Sequence, residues 1–257
     1  MNSRELFDLS GQVAIITGGG TGLGKQMAEG FAEMGAHLVL SARKKERCQE
    51  AATALENHGI RALACGCDVT IPEDIDGLVD FTMDRFGKID ILVNNAGTAW
   101  GAPAEEMPLE RWNQVIQTNL TGTFLCAQAV ARIMIERRQG KIINIASTAA
   151  LGGGRPEIMQ ASGYSASKGG VATLTKDLAC GWARHNVQVN AIAPGWFPTQ
   201  MSGWIIENRK DHILPSIPLG RVGGKDDLKG AAVFLASRAS DYVTGHVLVV
   251  DGGQTAW

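Results

Sequence analysis

Several things are scarce in this sequence, and each scarcity excludes something. Cysteine occurs five times, at Cys48, Cys65, Cys67, Cys126 and Cys180. The odd count and the lack of any Cys-x-x-Cys exclude a disulfide framework and point to a reduced compartment. Cys65 and Cys67 have no histidine or further cysteine at ligand spacing, so they read as strand residues facing the same way, and no metal site is expected. Net charge is also small, at -2 from 24 basic and 26 acidic residues. That leaves no electrostatic footprint for nucleic acid or an anionic membrane surface, and no helix-turn-helix is visible. Apolar runs are too short for a membrane span. The opening MNSRELFDLSGQ shows no basic stretch leading into an apolar one, so a cytoplasmic location is expected. Tyrosine occurs only twice, so either one that falls in a motif stands out.

Glycine, by contrast, is abundant. Its 32 copies are about 12% of the chain against roughly 7% in average usage, with no collagen-like period. Many positions must therefore need positive φ or close backbone approach, as phosphate-binding loops do. Strand-length apolar runs recur at 13–17, 37–41, 62–67, 89–93, 141–146, 188–193 and 246–250. Segments of helical period lie between them at 25–34, 44–58, 72–86, 109–138, 164–185 and 225–236. The strands are near-continuous in Val, Ile and Leu rather than alternating, the pattern of parallel strands covered on both faces. This predicts one α/β domain over 1–257, a doubly wound, Rossmann-like, seven-stranded parallel sheet with helices on both faces. One stretch, 194–224, breaks the alternation with four prolines and many apolar residues. Its length and composition predict a substrate lid at about 196–218.

Two motifs carry chemistry on their own residues. The first strand runs into Thr17-Gly18-Gly19-Gly20-Thr21-Gly22-Leu23-Gly24 and then a helix, the context in which glycines let a backbone approach a pyrophosphate at the positive end of a helix. Further on, Tyr164-Ser165-Ala166-Ser167-Lys168 places a phenol and an ammonium at i and i+4 on one helical face, where the cation stabilises the phenolate. A phenol so tuned is a general acid and base. With these stand Asn94-Asn95-Ala96-Gly97, Asn119, Ser147 and Pro194-Gly195. In the order TGGGTGLG, NNAG, NLTGTF, INIAS, YSASK, VNAIAPG and VDGG, the chain resembles the short-chain dehydrogenase/reductase superfamily over essentially its whole length.

The resemblance implies a catalytic tetrad of Asn119, Ser147, Tyr164 and Lys168. Tyr164 would exchange a proton with the reacting oxygen, Ser147 would hydrogen-bond that oxygen, and Lys168 would bind the nicotinamide ribose. Asn119 would hold a water linking Lys168 to solvent. It also implies a cofactor site of Gly18, Thr21, Gly22, Leu23 and Gly24 at the phosphate turn and Asp68 and Val69 at the adenine. Asn95, Ala96 and Gly97 would line the ribose and nicotinamide, and Pro194, Gly195 and Thr199 the carboxamide; Tyr164 and Lys168 belong to both sets. At the end of the second strand Ala42 stands where NAD-preferring members place an acid, and Arg43 follows. NADP(H) is therefore expected over NAD(H), although Thr21 replaces a basic residue that many NADP-preferring relatives carry.

The Ser147-to-Tyr164 spacing is about four residues longer than in many relatives, which leaves Thr148 and Ser162 as fallback hydroxyls and predicts a reshaped pocket mouth. The overall pattern is nearest to 3-oxoacyl-carrier-protein reductases and gluconate 5-dehydrogenase-like members. Trp100 and the apolar lid favour an acyl or cyclic ketone, with a sugar-acid or polyol dehydrogenase as the alternative and a non-catalytic dinucleotide sensor as a remote one. Arg137 and Arg138 either meet an acidic acyl-carrier protein or form a solvated helix end. Family members are mostly tetramers. Ala127, Ala129, Val130, Ala131, Ala172 and Leu174 could bury a homotetramer surface or pack on the sheet.

Overall fold

A computed structural model describes residues 2–257. Seven strands form one parallel sheet: β1 (Val13–Thr17), β2 (His37–Ala42), β3 (Ala62–Gly66), β4 (Ile91–Asn94), β5 (Gly140–Ile145), β6 (Val187–Pro194) and β7 (Val247–Val250). Their order is β3-β2-β1-β4-β5-β6-β7, all neighbours parallel. Between β1 and β4 the winding reverses, which opens a crevice at the carboxyl ends of these two strands.

Alternation along β1 shows why the strands are mostly apolar. Ala14 and Ile16 join a core formed with α2 (Gly22–Glu33), α3 (Lys45–Leu55) and α10 (Lys229–Ala236). Ile15 points to the opposite core, built with α4 (Pro72–Phe86), α6 (Gly122–Arg137) and α7 (Ser162–Trp182). Neither face is left to water, so neither needs polar residues. Cys65 and Cys67 both belong to this second core, and burial pushes both thiols up, away from the thiolate a metal would need.

Several elements differ from the sequence reading. The helix expected over 109–138 is α5 (Leu109–Ile116), a π-helical turn (Gln117–Thr121) and α6. The helix expected from 225 begins at Lys229, because Asp227 is occupied by Arg221 and the Gly224 amide. An additional short helix, α1 (Ser3–Leu6), is held by a capping box between Asn2 and Glu5, a local signal that hydrophobic period does not carry. The 196–218 stretch contains α8 (Gly203–Asn208) and α9 (Lys210–Ile213). Trp204 is 66% exposed there, whereas Phe197, Ile213 and Ile217 are buried.

Arg137 and Arg138 lie exposed at the end of α6, as a solvated helix end would, and each is tied back to the fold. Arg137 donates to the Ile89 carbonyl and to Asp90, which is buried and also takes the Val13 amide and Lys88. Arg138 takes positive φ at the end of α6 and donates to the Arg184 carbonyl. Of the six small or apolar residues on α6 and α7, Ala127, Val130 and Ala131 are consumed by the sheet. Ala129, Ala172 and Leu174 remain half-buried.

Candidate active site

The crevice is built from the ends of β1, β4, β5 and β6. At β1 the turn that follows is shaped by contacts only glycine permits. Gly18 has φ +65°, and a Cβ there would lie 2.8 Å from Asn95 Nδ2. A Cβ on Gly24 would lie 2.9 Å from the Gly18 carbonyl carbon and closer still to its oxygen. Asn95 locks the turn: its Nδ2 donates to the Thr17 and Gly18 carbonyls, both at 3.0 Å, while the Thr17 hydroxyl accepts from the Asn95 and Ala96 amides. α2 starts at Gly22, and its N-cap Thr21 offers no side-chain bond, so the first amides of the helix stay open to an anion.

The catalytic candidates converge on the other side. Lys168 is 95% buried, donates from Nζ to the Ile145 carbonyl at 2.6 Å, and lies 5.7 Å from the centroid of the Tyr164 ring. Burial lowers Lys168 to about 8. Burial raises Tyr164, against which the neighbouring Ser147 hydroxyl acts in the opposite sense. Ser147 thus stands beside the phenol. The longer connection leaves this pairing intact because its far end is pinned: Ala102 pairs with Ala161, and the Ala102 amide donates to Gln160 at 3.0 Å. Residues 151–157 project into solvent.

Asn119 sits in the π turn, fully buried. The extra residue per turn directs its amide sideways: Oδ1 accepts from the Thr98 amide at 2.8 Å, and Nδ2 donates to the Thr98 carbonyl at 2.9 Å and to Ser167 at 3.0 Å. Ser167 in turn donates to the Tyr164 carbonyl. The Asn119 side chain thus fixes the NNAG segment and α7, and the Asn119 carbonyl accepts from Thr123.

A second layer escaped the sequence reading. Asn94 donates to Asn144, its register partner across β4 and β5, and Asn144 donates to Thr175. Polar residues inside otherwise apolar parallel strands are the signal that could have found this ladder.

Gly97, Lys168 and Asn119 are brought together: a Cβ on Gly97 would lie 3.8 Å from Lys168 Nζ and 3.4 Å from Asn119 Oδ1. Thr199 reaches the phosphate turn, its methyl 3.4 Å from where a Gly22 Cβ would be, and Gly195 packs on Asp251. Leu23 is half-buried in the first turn of α2. Asp68 accepts from the Thr70 amide and hydroxyl, beside the buried Val69. Arg43 is exposed just beyond β2, and among the described residues no carboxylate lies within ion-pair distance of it. Trp100, 41% exposed, carries the Arg111 guanidinium 4.3 Å above its ring.

The sequence model of the family described as short chain dehydrogenase matches residues 12–210. The chain belongs to that family. This short-chain dehydrogenase is 43% identical over 258 residues to gluconate 5-dehydrogenase of Gluconobacter oxydans, with 99% of each chain covered. A solved gluconate 5-dehydrogenase from Burkholderia cenocepacia, in complex with NADP and tartrate, superposes with a TM-score of 0.94 at 40% identity over the whole of both chains. A subunit of (2S)-[(R)-hydroxy(phenyl)methyl]succinyl-CoA dehydrogenase from Thauera aromatica is 39% identical, covering 96% of this chain and 98% of its own. Among the described residues no helix is long and apolar enough to cross a membrane, and no cluster of three potential metal ligands occurs.

Proposed function

We propose that this short-chain dehydrogenase uses NADP(H) to interconvert a secondary alcohol of a sugar acid and the corresponding ketone. The observation that carries the reading is full-length likeness at 40–43% identity to enzymes named gluconate 5-dehydrogenase, one of them bound to NADP. It replaces the expected 3-oxoacyl or cyclic-ketone reductase as the leading assignment. The shape of the glycine turn fits the cofactor: Gly18 and Gly24 leave no room for side chains on the protein side, and the opening amides of α2 are uncapped.

When bound there, the nicotinamide supplies or accepts the hydride. The chain's own residues do the rest. Gly18, Thr21, Gly22, Leu23 and Gly24 would hold the diphosphate, and Thr199, which flanks Gly22, would meet the carboxamide with Pro194 and Gly195. Asp68 and Val69 meet the adenine. Asn95, Ala96, Gly97 and Lys168 hold the ribose. Tyr164 protonates the ketone oxygen or removes the alcohol proton, and Ser147 hydrogen-bonds that oxygen where charge develops. Asn119 positions Thr98 and Ser167 around the pair. The 196–218 stretch, carrying α8 and α9, acts as the lid over the substrate.

Arg43 supports the preference for the phosphorylated cofactor, since a guanidinium without an acidic partner stands at the end of β2 where Ala42 leaves no carboxylate to repel a 2′-phosphate. Ala42→Asp with Arg43→Leu should reverse the ratio of kcat/KM for NADPH and NADH; a wild-type enzyme that favours NADH would overturn this assignment. One observation favours a second substrate reading. Trp100 is 41% exposed, an apolar surface that suits an aryl or acyl substituent. The deciding assay compares kcat/KM for D-gluconate, 2-dehydro-3-deoxy-D-gluconate, a 3-hydroxyacyl thioester and a cyclic alcohol. A sugar acid should lead, and a thioester or cyclic alcohol leading by tenfold would install the second reading.

A further inference from the structure

The glycine turn is spanned from outside by a side-chain hydrogen bond. Arg47, in the first turn of α3, donates from Nη1 to Oε1 of Gln200, 3.0 Å away and 153 residues along the chain. The two residues stand on opposite sides of the turn. The Arg47 backbone backs Gly20 so closely that a Cβ there would lie 2.9 Å from the Arg47 carbonyl carbon. Gln200 follows Thr199, whose methyl flanks Gly22. Between them lie Thr21, which caps nothing, and the open amides that begin α2.

The partners are unequal. Among the described residues no carboxylate lies within ion-pair distance of Arg47, and the Gln200 amide is a neutral acceptor. A guanidinium gains more from an anionic oxygen than from a neutral one, because attraction between opposite charges adds to the hydrogen bond. The glutamine amide carries two N–H donors as well as its oxygen, so it too can turn to a phosphate.

We propose that Arg47 is a diphosphate-binding residue and that Arg47 with Gln200 forms a strap across the diphosphate groove, an inference that rests on the cofactor reading above. In the free protein the strap links α3 to the segment leading into α8. With a dinucleotide in the groove, Arg47 exchanges the Gln200 oxygen for phosphate oxygens, and Gln200 donates to the same group. Because the diphosphate is common to both nicotinamide cofactors, the strap strengthens binding without choosing between them, which separates Arg47 from Arg43.

The test is direct binding, followed by the fluorescence of bound NADPH and NADH, with deuterium exchange on the cofactor-free protein. Both side chains are exposed, so Arg47→Ala and Gln200→Ala should fold with unchanged melting temperature. Arg47→Ala should weaken NADPH and NADH by the same factor, about tenfold or more, leaving their ratio unchanged. Gln200→Ala should weaken both less and speed exchange of amides 199–206. Loss of NADPH binding alone would make Arg47 a 2′-phosphate ligand and overturn the proposal, as would unchanged affinity for both. Unchanged exchange in Gln200→Ala would remove the strap. If the wild-type protein bound neither nucleotide, the cofactor reading itself would fall, a result distinct from all of these.

Discussion

The Lys168 ammonium lies 5.7 Å from the centre of the Tyr164 ring, one helical turn back, and gives its hydrogen bond to the Ile145 carbonyl at the end of β5. The pair is thus held by the sheet as well as by α7. The free protein does not itself lower the phenol: burial raises it, and only Ser147 opposes. Charge on Lys168 and on a bound oxidised nicotinamide must supply the remaining stabilisation of the phenolate.

Tyr164 accordingly makes a two-part prediction. In the free protein its phenol should stay protonated past pH 10, seen as the ultraviolet difference titration between wild type and Tyr164→Phe. With saturating oxidised cofactor, alcohol oxidation should rise with pH through an apparent value well below 10, because only the phenolate accepts the proton. Tyr164→Phe should bind cofactor normally and lose several orders of magnitude in kcat. Near-native turnover in that variant would remove Tyr164 from the chemistry.

Lys168 should be a destabilising residue kept for function. Its folded value, about 8, lies below the 10.5 of a free lysine. Burial of the charge therefore costs a few kcal/mol below about pH 8, and that cost fades as the pH rises towards 10.5, where the unfolded chain also loses the proton. Lys168→Met should melt higher than wild type at pH 7, with the gap closing by pH 10, while turnover is lost. Calorimetry of the cofactor-free protein checks the sign.

Two glycines of the phosphate turn should respond differently. Gly22 has φ +54°, but an added methyl would meet only the Thr199 side chain, at 3.4 and 3.5 Å, so Gly22→Ala should cost about 1–2 kcal/mol of backbone strain. At Gly24 the methyl would drive into the Gly18 carbonyl and the Asn95 amide, which cannot move without opening the turn. Gly24→Ala should abolish nucleotide binding and lower the melting temperature further. Fluorescence titration and thermal unfolding separate the two.

Removing residues 152–155 should alter KM across the substrate panel and leave NADPH affinity unchanged. A Cβ on Gly152 or Gly153 would meet nothing within 4 Å, and the Ala102–Ala161 bridge pins the chain before Tyr164. Equal losses for every substrate together with weaker NADPH binding would make the loop structural.

What the sequence determined by itself is what short-range patterning carries. Near-continuous apolar runs marked the strands as parallel and doubly covered, since most positions on either face meet a core. Glycines between strand and helix marked the anion turn, and the i, i+4 spacing put Tyr164 and Lys168 on one face whatever surrounds them. Tertiary structure decided the rest, because it turns on partners distant in sequence. The π turn exists where Asn119 can clamp Thr98, 21 residues earlier. Which hydroxyl stands beside the Tyr164 phenol depends on how β5 meets α7. Arg137 is a surface cation to which the fold brings the buried Asp90. Arg47 and Gln200 meet across 153 residues because the glycine turn lies between α3 and the segment after β6. No periodicity encodes such meetings; they follow from the order in which the sheet is wound.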